Sequence, residues 1–320
     1  MAELGIDLVK AINLLQQGEL VAIPTETVYG LAGNALNPDA VASIFATKKR
    51  PSFDPLILHT DSLEKIGGFV EEVPPLAKKL ADEFWPGPLT ILFKKKALVP
   101  DLVTSGLDTV AVRIPDHPLT LSLLESLDFP LAAPSANPFG YVSPTSPAHV
   151  QQQLGEAIPY ILNGGDCEVG VESTIVSFEQ EQPVVLRMGG LAVESIEEVL
   201  GPVEVRAHSS SAPAAPGMLK SHYAPGKWFV LIDSAEAFTL PENEQFAVLV
   251  FDQFIPSVPI ERQFKLAPDG DVREAAKQLF GMMRMLDDKD GVEEIIAIKV
   301  PDVGLGRAVN DRLSRAAASD

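Results

Sequence analysis

Between Arg206 and Lys220 the chain reads RAHSSSAPAAPGMLK, a stretch of Ser, Ala and Pro in which no apolar period survives. A segment with neither strand alternation nor helical spacing has the composition of an interdomain linker. Its place in a 320-residue chain then fixes the gross organisation, because a chain of this length exceeds the usual single-domain size and can bury more than one core. The reading is therefore a larger unit over 1–204, a linker over 205–226, and a smaller unit over 227–320.

Ahead of the linker, the apolar runs LVAIP (20–24), PLTILF (88–93), TVAVRIP (109–115), STIVSF (173–178) and PVVLRM (183–188) read as strands separated by helical patterns. One helix start is legible in detail. Asn37 is a natural N-cap, Pro38 suits the first helical position, and the segment passes Ile44 and Phe45 to Lys48, Lys49 and Arg50 before Pro51 stops it. A cationic cluster thus sits at a helix C-terminus. Beyond the linker come strands WFVLID (228–233) and FAVLVF (246–251), a helix from about Val272 to Leu286, a strand EIIAIKV (294–300) and a last helix from about Leu305. That alternation predicts a small Rossmann-like parallel-sheet domain, but one without the G-x-G-x-x-G turn a dinucleotide would need.

Composition excludes several function classes. Cys167 is the sole cysteine, so neither an internal disulfide nor a thiolate metal cluster is available. The N-terminal MAELGIDLVK carries two acids before its first lysine and no long apolar run follows, so neither a signal peptide nor a membrane span is expected and the cytoplasm is the expected location. The net charge of -19, with 12 Lys and Arg against 27 Asp and Glu in 1–204, argues against stable direct binding of nucleic acid. Any anion site must be local.

The phosphate-loop, H-E-x-x-H, G-x-S-x-G and kinase patterns are all missing. Polar clusters instead follow strand-like runs, where open α/β sheets build ligand crevices. PTETVYG (24–30) offers small hydroxyls and an acid. In KKRPSFDPLILH (48–59), Lys48 and Arg50 would neutralise phosphates, the ammonium as a point charge and the guanidinium as a fork. TVAVRIP puts Arg113 inside an apolar strand, where it calls for a carboxylate partner that a substrate would supply. The loop APSANPFGYVSPTSP (133–147) presents Ser135, Asn137 and Ser143. ESTIV (172–176) and VLRMG (185–189) add Ser173 and Arg187, and SHYAPG (221–226) ends the linker with a His and an aromatic that would suit a lid over the crevice.

Together PTETVYGL, the K-x-R-P…P-L…H run, WPGPLT, T-V-A-V-R-x-P, A-P-S-A-N and ESTIV, in this order over about 20–190, resemble the YrdC-like superfamily. The linker, SHYAP and second domain resemble its long, two-domain threonylcarbamoyl-AMP synthases. The resemblance implies an N-terminal α/β domain with a twisted mixed sheet and a nucleotide crevice, and a smaller Rossmann-like C-terminal domain. It also implies a reaction in which L-threonine and bicarbonate form a carbamate that attacks the α-phosphate of ATP and expels pyrophosphate, with Mg2+ assisting. Downstream transferase proteins would pass the product to transfer RNA next to its anticodon. Carried over position by position, Thr27, His59, Arg113 and Ser173 fall on the threonine side. Lys48, Arg50, Asp54, Thr109, Ala133, Ser135, Asn137, Ser143 and Arg187 fall on the ATP side, with Lys48 and Arg50 the catalytic cations, and His222 and Tyr223 cover the nucleotide. Asp54 stands where the family usually has Asn, and the expectation is that it approaches ATP through magnesium. Two other readings compete, an RNA-binding or ribosome-associated module and a carbamoyl-transfer enzyme with a different donor. The acidic balance opposes the first, and the lack of Cys pairs opposes the second.

Overall fold

The computed structural model describes residues 1–179, 182–206, 215, 216, 218 and 221–318. Half of the linker, namely 207–214, 217, 219 and 220, lies outside the described residues, as do 180, 181, 319 and 320.

Residues up to 205 build an eleven-stranded sheet: β1 (Glu3–Gly5), β2 (Val21–Ile23), β3 (Gly30–Asn34), β4 (Ile57–His59), β5 (Leu89–Lys94), β6 (Thr109–Arg113), β7 (Leu131–Ala132), β8 (Tyr160–Leu162), β9 (Thr174–Glu179), β10 (Gln182–Arg187) and β11 (Glu204–Val205). Their spatial order is β1-β8-β2-β3-β7-β4-β6-β5-β9-β10-β11. Parallel pairs such as β4 with β6 mix with antiparallel ones such as β5 with β6. A mixed sheet was the expectation, and its central strands are short and apolar because both faces are covered. In β5, Leu89, Ile91 and Phe93 join the principal core while Leu92 packs on the opposite face with Ile57, Ala111 and Ile175.

The helix Pro38–Lys48 begins as its sequence dictates, with the Asn37 side chain accepting from the amides of Asp39 and Ala40. It ends at Lys49 in a left-handed conformation, φ 53°. That sharp exit turns Lys48 and Arg50 inward.

The second sheet is wholly parallel, ordered β12 (Trp228–Ile232), β15 (Glu294–Ile298), β13 (Phe246–Val250), β14 (Gln263–Lys265). Alternation along its strands sends Phe229, Leu249 and Ile295 to one face and Val248, Val250 and Ile296 to the other. The first face is covered by the helices Val272–Asp287 and Leu305–Ala316, and that cluster continues into the first domain through Val28, Val142 and Val171. The two domains therefore share one core layer. Polar contacts register it: buried Arg284 donates to the carbonyls of Val142 and Ser143, and the Tyr141 hydroxyl meets Asp287 at 2.5 Å. Among the described residues no helix is long and apolar enough to cross a membrane.

Candidate functional site

Strand ends of the first sheet converge on a crevice. The loop after β2 brings Thr25 and Thr27, β4 ends in His59, β6 ends in Arg113, β7 leads to Ala133 and Ser135, Ser173 precedes β9, and β10 ends in Arg187. His222 and Tyr223 roof it, with Pro216 beside them, and the partly open space beneath is about 60 Å³.

One wall is organised by Arg113, which is buried. Its Nη2 meets Glu26 Oε1 at 2.6 Å, Nη1 donates to Thr27 Oγ1 at 2.9 Å and Nε donates to the Gly87 carbonyl at 3.2 Å. The carboxylate that the lone strand arginine called for is thus Glu26, inside the chain; the sequence signal was present in PTETVYG but gave no pairing. The guanidinium keeps two N–H groups beyond these three bonds, enough for a small carboxylate. The register of β4 and β6 sets His59 beside Arg113. Burial, reinforced by Arg113, pushes His59 down to about 3, so its ring is neutral.

The other wall is cationic. Lys48 Nζ donates to the carbonyls of Ser135 and Asn137, each at 2.5 Å, and its pKa lies well below the ordinary lysine value because of burial and then Arg50. Arg50 is fixed by the carbonyls of Asp54 and Pro55 and by the Asp54 carboxylate at 2.8 Å. Asp54 is fully buried in that pair, so the expected approach to ATP through magnesium is corrected: its carboxylate braces Arg50 and does not line the crevice. A register shift between Val185 and Arg187 re-aims Arg187. Its Nε donates to the Ser173 carbonyl at 3.0 Å, Nη2 to Ser173 Oγ at 3.1 Å and Nη1 to the Pro216 carbonyl at 3.3 Å. The close approach depends on Gly189, where a Cβ would fall 2.2 Å from the Glu172 carbonyl oxygen.

Three of the expected residues act from behind the lining. Asn137 Nδ2 donates to the carbonyls of Pro138 and Tyr141 and shapes its loop. Ser143 donates to Glu172 Oε1 at 2.6 Å. Lys48 reaches the loop carbonyls just described. Thr109 is the residue that the structure does not bring to the site: it begins β6 whereas Arg113 ends it, and four residues of extended strand span roughly 13 Å. Thr109 lines a groove with Glu72, Lys94 and Ser177, so its place on the ATP side is carried by the resemblance alone.

Two residues that the sequence did not single out matter here. Glu172 lines the crevice, and its Oε2 accepts from Nε of Arg312 in the second domain at 2.9 Å. Although burial alone would raise it, Arg312, Arg187 and Ser143 hold Glu172 at about 2. The roof is built to match: Tyr223 sits at φ 66°, stacks on Phe280 with centroids 5.5 Å apart and lies 5.1 Å from the Arg312 guanidinium. A bulky aromatic in the left-handed region is unusual and is held there only by such packing.

The arrangement suits an anionic ligand with two ends, a small carboxylate against Arg113 and a phosphate chain against Arg50 and Arg187, with Lys48 holding the Ser135–Asn137 loop from behind. Among the described residues no group of three or more His, Cys, Asp and Glu side chains forms a metal site.

Residues 13–189 match the Sua5, YciO and YrdC family model, described as "Telomere recombination", and residues 191–318 match one described as "Threonylcarbamoyl-AMP synthase, C-terminal domain". Curated proteins named threonylcarbamoyl-AMP synthase are 41% identical in Pyrococcus abyssi, over 96% of this chain and 92% of that one, and 39% identical in Bacillus subtilis with the same coverage. The crystal structure of P. abyssi Sua5 complexed with L-threonine superposes with a TM-score of 0.88 at 40% identity, covering 97% of this chain and 94% of that one.

Proposed function

Because the chain belongs to the Sua5 family of threonylcarbamoyl-AMP synthases, we propose that it acts as a nucleotidyltransferase, making threonylcarbamoyl-AMP and pyrophosphate from L-threonine, bicarbonate and ATP. The product would serve threonylcarbamoylation of transfer RNA next to the anticodon, handed on by separate transferase proteins in the cytoplasm. The observation that carries this reading is the two-walled crevice, in a chain similar end to end to a threonine-bound Sua5.

On the threonine side, Arg113 offers its two remaining N–H groups to the carboxylate, with Thr27, His59 and Ser173 around the rest of the molecule. The threonine amine attacks the bicarbonate carbon and water leaves. A carbamate oxygen then attacks the α-phosphorus of ATP, and the bond to pyrophosphate breaks. Arg50 and Arg187 neutralise the charge that builds on the phosphates, Lys48 fixes the Ser135–Asn137 loop that faces them, Ala133 and Ser135 line the nucleotide side, and His222 and Tyr223 close over it. In-line attack requires no covalent enzyme intermediate, so positioning and charge neutralisation supply the rate. His59 and His222, both held neutral at about 3, add no charge to either wall.

Mg2+ does not fit a cage of protein carboxylates here: Asp54 is committed to Arg50, Glu26 to Arg113 and Glu172 to Arg312. The ion would arrive on the ATP phosphates, as is usual for this strongly hydrated cation.

The test is incubation of the protein with radiolabelled bicarbonate, L-threonine, ATP and magnesium, followed by chromatography. Threonine-dependent label in an adenylate, with matching pyrophosphate, is expected. Pyrophosphate without labelled adenylate would overturn the reading in favour of another carbamoyl chemistry.

A further inference from the structure

The first domain supplies both walls of the crevice, yet one buried carboxylate on its lining is neutralised from outside that domain. Glu172 Oε2 meets Arg312 Nε at 2.9 Å, and Arg312, with none of its surface exposed, is carried by the last helix of the second domain, 140 residues away in sequence. Arg312 is itself fixed: Nη1 meets Asp311 Oδ2 at 2.6 Å, and the same oxygen accepts from Arg315 Nε at 2.9 Å. Glu172 itself faces the crevice, and Ser143 braces its Oε1 from behind at 2.6 Å. The same helix also touches the roof. The guanidinium of Arg312 faces the Tyr223 ring at 5.1 Å, and the Arg315 carbonyl accepts the His222 amide at 3.3 Å.

We propose that Arg312 is a positioning residue for the nucleotide side of the crevice, acting through Glu172 and Tyr223, so that the second domain completes the site. The physical reason is the alternative open to Glu172. Arg187 is a second guanidinium near it, and a buried carboxylate stripped of Arg312 would draw Arg187 out of its bonds to Ser173 and Pro216. Arg187 is on the ATP side, whereas Arg113 is held separately by Glu26 and Thr27. Loss of Arg312 should therefore weaken ATP use and leave threonine binding intact. This rests on the adenylate-forming reading above.

The experiment compares full-length wild type, Arg312→Gln, Glu172→Gln and the double variant in the radiolabelled assay. Alongside it run threonine binding by calorimetry without ATP and hydrogen exchange at the amides of His222 and Ala224. Arg312→Gln should raise the KM for ATP at least about tenfold with threonine affinity unchanged, and the two amides should exchange faster. The double variant should recover part of that loss, because no uncompensated carboxylate remains to capture Arg187. Additive losses in the double variant, or equal weakening of threonine and ATP, would overturn the proposal and leave Arg312 a packing element only. If Arg312→Gln does not fold, Arg312→Lys carries the same test, since an ammonium keeps the charge in the core but loses the guanidinium fork shared by Glu172 and Asp311, and the KM for ATP should rise in the same direction. Failure of the wild type to make adenylate would instead count against the reaction itself, and it is read in the same tubes.

Discussion

At the scale of single residues, the strings of the sequence displayed the cations but not their partners. Arg113 was conspicuous as a charge in a β-branched strand, and Lys48 and Arg50 as a run before a proline. Glu26 and Glu172 were not distinguishable from other acids, and Asp54 stood out only by the resemblance and with another task, because what sets all three apart is burial against a particular guanidinium. Arg312 had no local signal at all, since it reads as an ordinary basic position of a surface helix until the domains are packed. Thr109 shares a motif with Arg113, yet it opens the strand that Arg113 closes and lines a different groove. One of these pairs has a measurable pH signature. Glu172 falls to about 2 in the folded protein from an ordinary 4.5. A carboxylate lowered in this way contributes stability that is complete above about pH 4.5 and disappears as the pH falls toward 2. Urea unfolding across that range should show wild type and Glu172→Gln converging in stability as the pH drops, with an excess on the order of 3 kcal/mol for the wild type at neutral pH.

At the scale of elements, the capped helix Pro38–Lys48 and the long strands were legible because capping chemistry and period-2 patterning are local. The strand Gly30–Asn34 was not, because GLAGN has little β-propensity; it exists because glycine lets the backbone pack closely, and a Cβ at Gly33 would stand 2.9 Å from Leu20 Cδ2. The covering segment was read from its odd His-Tyr ending, and its function is separable from substrate capture. Scrambling Ser221 to Pro225 should lower adenylate yield more than it weakens threonine binding, as measured by product chromatography against calorimetry; equal losses would argue against a cover. Between the domains, Gly170 has φ +81° and a Cβ there would lie 2.4 Å from the Ala276 carbonyl oxygen. Gly170→Val should cost at least about 2 kcal/mol in denaturant unfolding, from overpacking and a disfavoured backbone together.

At the scale of the whole molecule, composition and the linker pointed to two units, and two sheets are present, but composition said nothing of how the units meet. Their shared cluster, running from Val28, Val142 and Val171 into Phe280 and Leu313, ties their stabilities together. Calorimetry should show one cooperative transition rather than two, because either unit alone would expose that layer and strand Glu172 or Arg312. Residues 1–204 expressed alone should be less soluble than the full chain for the same reason.

The roofed crevice has a consequence for turnover. A chamber of about 60 Å³ holds a few water molecules, while a nucleotide-sized ligand needs several hundred. On the proposed reaction, Tyr223 would leave Phe280 twice in each cycle, once to admit ATP and once to let the adenylate go. If the second unseating is slower than bond making, rapid mixing will show a burst of pyrophosphate close to one equivalent per active site before the steady rate sets in. The enzyme would then behave as a timed dispenser of a hydrolysable acyl phosphate, its pace set by how long the chamber stays shut.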